Sequence, residues 1–164
     1  MSAELYIHSE RPPISWEEFC STHPMGSIAI DGYVDGPPQY NGDTGHLNAD
    51  HHSGVDRLST LSSAQQIAFK MRMGMGNAFG DPFSPHVFAN DCDQDVCLAW
   101  YLLDHPEQAS EPSESLHSLI ETAGRLDATG GGFPYRPDSP IIQQLTWIFA
   151  PYTDFRASGD MQLK

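Results

Sequence analysis

The chain has 164 residues, 39% of them apolar, which is the length of one domain and material enough for one hydrophobic core. Eight Lys+Arg stand against 22 Asp+Glu, a formal net charge of −14, although the charged fraction of 18% is below the roughly 25% of an average soluble domain. Bases are scarce, so the surface offers no footprint for phosphate backbones, and general nucleic-acid binding or adsorption to anionic membranes is not expected.

The start of the chain, residues 1–10, lacks the basic and then apolar pattern of a signal peptide, and no later stretch approaches the ~18 consecutive apolar residues of a membrane span. A cytoplasmic protein without membrane contact is expected. Ser15 followed by Glu18 has the capping-box pattern and predicts a short helix over residues 16–20. Residues 26–31 read as a buried strand ending on Asp31, and residues 36–45, rich in Gly and Pro, read as a loop. Residues 45–52 give a weaker second strand whose polar end is Asp50, His51 and His52. Leu58, Leu61, Ala64, Ile67, Ala68 and Met71 then recur at spacings of three and four, the stripe of an amphipathic helix that frays over residues 71–76.

Residues 85–91 read as another buried strand ending in acid, and residues 96–103, apolar nearly all round, as a helix buried against a sheet. Ser113 can cap a helix with Leu116, Leu119, Ile120 and Ala123 on its inner face, followed by a glycine-rich turn over residues 126–135. Ser139 and Pro140 open a last helix with Ile141, Ile142, Leu145, Ile148 and Phe149 inward. This alternation points to an α/β domain spanning residues 1–164, with a mostly parallel sheet and helices on both faces. In such sheets ligands bind outside the carboxyl ends of the strands. The acids gathered at strand ends are in that position.

Three clusters stand there: Asp31 with Asp35; Asp50, His51 and His52; and the alternating Asp91, Asp93 and Asp95. Carboxylates this dense repel one another, so either their pKa values rise or a cation neutralises them. Oxygen and imidazole donors suit Mn²⁺, Mg²⁺, Fe²⁺ or Zn²⁺ better than calcium. Each cluster also has a plain structural reading: turn chemistry for Asp31 and Asp35, a loop and helix cap for Asp50, and capping of the following helix for Asp91, Asp93 and above all Asp95. The cysteines, Cys20, Cys92 and Cys97, are odd in number and without CxxC spacing, which fits a reducing compartment. Cys92 and Cys97 read as small packing residues, and the glycines at 130–132 are no P-loop because no Lys follows.

Asp50-His51-His52 after a strand resembles the signature of the DHH phosphoesterase superfamily. The alternating acids of residues 90–99 are similar to that family's first motif, Asp31 to the lone strand-end Asp of its second, and Asp127 with the Thr, Gly and Phe that follow to its last. The motifs stand here in the order two, three, one and four. The resemblance implies a DHH-like three-layer sandwich, incomplete or divergent for want of the family's second domain. It implies a pair of divalent metals, Mn²⁺ first and Mg²⁺, Fe²⁺, Co²⁺ or Zn²⁺ as alternatives. The implied ligands are Asp31, Asp50, His51, Asp91, Asp93 and Asp127, with Asp50, His51 and His52 carrying the catalysis. The implied reaction is hydrolysis of a small phosphorylated substrate, a phosphoester or phosphoanhydride, by metal-activated water. Arg57, Arg125 or Arg136 would clamp the phosphate. Two further readings stand beside it: a non-catalytic metal- or ligand-binding protein of the same fold, working as a homodimer or with a partner subunit, and a metal-dependent amide or C–N hydrolase.

Overall fold

The computed structural model describes residues 2–79 and 83–158, and within them five short strands form one sheet. In chain order the strands are β1 (Glu4–Ile7), β2 (Ile28–Ile30), β3 (Gln39–Tyr40), β4 (Leu47–Ala49) and β5 (His86–Ala89); in space they run β1-β5-β2-β4-β3. β1, β5, β2 and β4 are mutually parallel, with Ile28 opposite both Val87 and Leu47, while β3 lies antiparallel on β4. The domain is therefore α/β with a mostly parallel sheet.

Strand residues alternate between faces, and both faces are apolar, as a sheet covered on two sides requires. Ile28, Ile30, Leu47, Ala49, Val87 and Ala89 point into the larger core. There they meet α2 (Ser63–Arg72), α4 (Gln94–Asp104) and α6 (Glu114–Ala128) through Ile67, Leu102 and Ile120. Ala29 and Phe88 point the other way, into a smaller core with Tyr33 and with Phe19 of α1 (Trp16–Thr22). The chain thus has helices on both faces of its sheet. The remaining helices are α3 (Met75–Ala78), α5 (Pro106–Ser110), α7 (Pro140–Ile148) and α8 (Ala150–Ala157), and Leu145 and Phe149 join the larger core.

Several boundaries differ from the sequence reading for identifiable reasons. The stripe beginning at Leu58 enters its helix only at Ser63, because Ser62 accepts from Gln65 N while Gln65 Oε1 accepts from Ser62 N. Leu58 is 98% exposed and Leu61 51%, so neither is core. The stretch read as a loop over residues 36–45 contains β3, held by pairing across to β4 rather than by its own sequence. α6 continues through Asp127 to Ala128, which puts that acid on a helix instead of in the glycine-rich turn. No helix among the described residues is long and apolar enough to cross a membrane.

Candidate metal centre

Because β2, β4 and β5 are parallel, their carboxyl ends share one edge of the sheet. α2 and α4 both begin at that edge. α6, which starts after the chain has crossed back, ends there. The positive ends of two helices and the negative end of a third therefore face the same small region.

Asp31 closes β2 in a left-handed backbone conformation, φ +51°, which a non-glycine residue keeps only when its surroundings enforce it. Here the enforcement is visible: its N–H donates to Ser63 Oγ at 3.1 Å, and that hydroxyl in turn donates to Ala49 O at 2.8 Å. The Asp31 carboxylate is thereby aimed at two imidazoles, with His52 Nε2 at 2.6 Å and His51 Nε2 at 3.3 Å from Oδ1. His51 Nε2 also lies 3.3 Å from Asp95 Oδ2 and 3.0 Å from Asp127 Oδ2. One nitrogen thus faces three carboxylates carried by β2, α4 and α6. Its single proton can point at only one of them.

Donor atoms each about 2.1 Å from a shared divalent ion lie ~3.0 Å apart in octahedral and ~3.4 Å apart in tetrahedral coordination. The separations around His51 fall in that range. Two groups, Asp31 with His51 and His52, and His51 with Asp95 and Asp127, each keep their donor atoms within 4.8 Å of one another. His51 is 1% exposed, Asp95 1% and Asp31 7%. These buried His and Asp side chains are positioned to hold a metal ion.

Electrostatics follow from the same contacts. Burial, the largest influence on His51, disfavours its charge, but the hydrogen-bonding carboxylates of Asp127, Asp31 and Asp95 outweigh it and raise its pKa to about 11. Burial likewise pushes the Asp31 carboxyl up, and the two imidazoles reverse this to hold it at about 2. His52 is raised, first by its contact with Asp31. Asp93 goes the other way: burial first, then the charge of Asp31, bring it to about 7.

The other acids expected as ligands have different partners. Asp50 is fully buried, and its carboxylate accepts from Gly32 N (2.6 Å), His52 N (2.9 Å) and Ser53 N (2.9 Å). It ties the turn after β2 to the loop that carries the histidines, and so holds their backbone. Asp93 Oδ1 caps α4 through Asp95 N and Val96 N, and its charge feels Asp31, Asp95 and Asp127. Asp91 Oδ1 accepts from Cys92 N (2.7 Å) and from Tyr152 Oη (3.1 Å). Asp95, read from sequence chiefly as a cap, does cap a helix, but α2 rather than its own: its oxygens accept from Ser63 N (2.6 Å) and Ala64 N (3.0 Å) while facing His51.

Of Arg57, Arg125 and Arg136, the arginines expected to clamp the phosphate, only Arg57 reaches the cluster. Its Nη2 donates to Asp127 O at 2.9 Å and lies 3.5 Å from Asp127 Oδ2. Arg125 lies over the Phe133 ring and Arg136 pairs with Asp138. A cavity of about 680 Å³ lies between Met71, Phe83, Asp104 and His105 and includes none of the cluster. Compared with protein families, curated proteins and solved structures, the chain matches none.

Proposed function

We propose that this chain is a divalent-metal-dependent hydrolase of the DHH phosphoesterase kind, acting on a small phosphorylated substrate, with Mn²⁺ the favoured ion. The observation that carries the reading is the convergence of three carboxylates from three elements on His51 Nε2 at metal-ligand spacing. His51, Asp95 and Asp127 would hold the ion, with Asp31 beside them on the side of His51 and His52, and a three-layer DHH-like sandwich is the corresponding fold. Such an ion supplies positive charge at phosphorus and acidifies a water toward neutral pH. His52, at the rim with its side chain 34% exposed, keeps a proton on Nε2 through Asp31 and would deliver it to the leaving oxygen. Asp50 acts by holding the His51–His52 backbone in place.

The test is metal analysis of untagged protein, followed by turnover of bis-p-nitrophenyl phosphate and pyrophosphate under added Mn²⁺. At least one equivalent of ion is expected, with release of p-nitrophenol from the diester or phosphate from pyrophosphate that is lost in His52→Ala. Less than one equivalent at micromolar Mn²⁺ overturns the reading. A second reading rests on the raised His51: an imidazolium answers the three acids by itself, leaving a metal-free ionic cluster with a structural role. Turnover of amides without turnover of phosphate esters would instead select a C–N hydrolase.

A further inference from the structure

The last turns of α2 and α4 are charged in opposite senses. α2 ends on Lys70 and Arg72, cations that suit the negative end of a helix, whereas α4 has no base in its last turn and closes on an acid, Asp104. Pro106, which follows, has no N–H to give back to Leu102 O, so the closing turn of α4 lacks that bond as well. Asp104 Oδ1 accepts from Ala3 N at 2.7 Å, a neutral donor. His105 Nδ1 is 3.7 Å from Asp104 Oδ2 but 3.0 Å from Tyr101 O, and a carbonyl can only accept, so the Nδ1 proton is committed there. Among the described residues, neither Asp104 nor the exposed Glu107 of α5 pairs with a lysine or arginine.

This unanswered negative charge borders the cavity of about 680 Å³, a volume in the range of small-molecule sites. Met71, Phe83 and Pro106 supply apolar wall, Asp104 and Glu107 supply charge, and none of the described lining residues is Lys or Arg. Three close-set metal donors, as around His51, do not occur here among the described residues. The wall suits an apolar body and the rim a positive charge. We propose that this cavity binds a small organic cation, its ammonium group against Asp104 and Glu107 and its apolar body against Met71 and Phe83. An aromatic ring and a thioether both favour such a ligand. The site is separate from the metal centre, because α2 begins at one and ends at the other, ten residues of helix or ~15 Å away. It does not depend on the hydrolase reading.

The probe is 2-phenylethylamine, titrated calorimetrically into the full chain at neutral pH without added metal, beside 2-phenylethanol, which has the same body and no charge. Saturable binding of the amine is expected, with the alcohol at least tenfold weaker. Asp104→Asn keeps an acceptor for Ala3 N–H and removes the charge, which predicts roughly tenfold weaker binding of the amine. Glu107→Lys, on an exposed position, puts a cation at the site and should weaken it as much, and it carries the test if Asp104→Asn fails to fold. Asp127→Asn, at the metal centre, should leave the amine unaffected. Equal affinity for amine and alcohol, or no saturable binding of the amine, overturns the proposal. So does amine binding that Asp127→Asn abolishes and Glu107→Lys does not, since the cation would then sit among the acids around His51.

Discussion

Histidines gather at the carboxyl edge of the sheet and beside its smaller core, and the two places treat them oppositely. At the carboxyl edge His51 and His52 sit among acids and both are pushed toward the charged form. In the smaller core, Tyr33 Oη lies 3.1 Å from His8 Nδ1 and 3.0 Å from His23 Nε2, and His23 packs against Phe88 and Phe19. There burial comes first, the charges of Arg11, His46 and His8 add to it, and His23 is lowered. Burial acts in the same direction on His51. The difference is three carboxylates, which favour the charged form of a buried imidazole where burial alone disfavours it.

Removing the imidazole at the carboxyl edge should have the largest effect. His51→Ala leaves Asp31, Asp95 and Asp127 facing one another, and loss of one partner from a buried ionic cluster costs about 3–5 kcal/mol. Urea denaturation of metal-free protein at pH 6 measures it. The pH dependence has a definite sign: the folded pKa of His51, about 11, exceeds the ordinary 6.5, so its stabilisation is complete below pH 6.5 and lost as pH rises toward 11. His51→Gln should flatten that alkaline limb. A limb unchanged in the variant would show that His51 is not the cation of the cluster.

The comparison also separates what was legible in the chain from what was not. Acids at strand ends follow from local pattern, because apolar runs bounded by Asp31 and Asp50 are visible in one dimension, and parallel strands bring such ends to one edge. The direction a carboxylate faces is not local. Asp50 and Asp95 look alike in sequence, each an Asp near a helix or strand end, yet Asp50 is consumed by three backbone N–H groups while Asp95 spans from α2 to His51. Asp95 satisfies the N–H groups of a helix 32 positions earlier, a partnership no spacing rule contains. β1 escapes for a related reason: Glu4, Leu5, Tyr6 and Ile7 are exposed or half-buried on an edge, and their pairing with β5 lies more than 80 residues away. The histidines of the smaller core carried no signal, since single His residues scattered over residues 8–46 announce neither partner nor charge.

Next in size is the effect of the ion itself. Binding to the folded chain alone stabilises by about 2.7 kcal/mol at a hundredfold excess over Kd. Mn²⁺ should therefore raise the melting temperature of the parent and not of Asp127→Asn, read by calorimetry. Because His51 must give up its proton to coordinate, affinity should climb with pH from 6 to 8. Affinity independent of pH over that interval would mean that His51 is not a ligand and that the second reading describes the cluster.

The smallest effects belong to the aromatic face. Tyr33→Phe removes a hydroxyl shared by two imidazoles without leaving a charge behind, and about 1 kcal/mol is the scale of such a loss. The pH trend runs opposite to that of the other face. With the folded pKa of His23 below the ordinary value, its unfolded form takes up a proton first, so stability is complete above pH 6.5 and declines as pH falls through that value. His23→Gln should shift the curve near pH 6.5 and leave the alkaline limb alone, while His51→Gln should change the alkaline limb and, through Asp31, the limb below about pH 4. If His23→Gln moved the alkaline limb, the two groups of histidines would be electrostatically coupled across the sheet, and the separate treatment of its faces would be wrong.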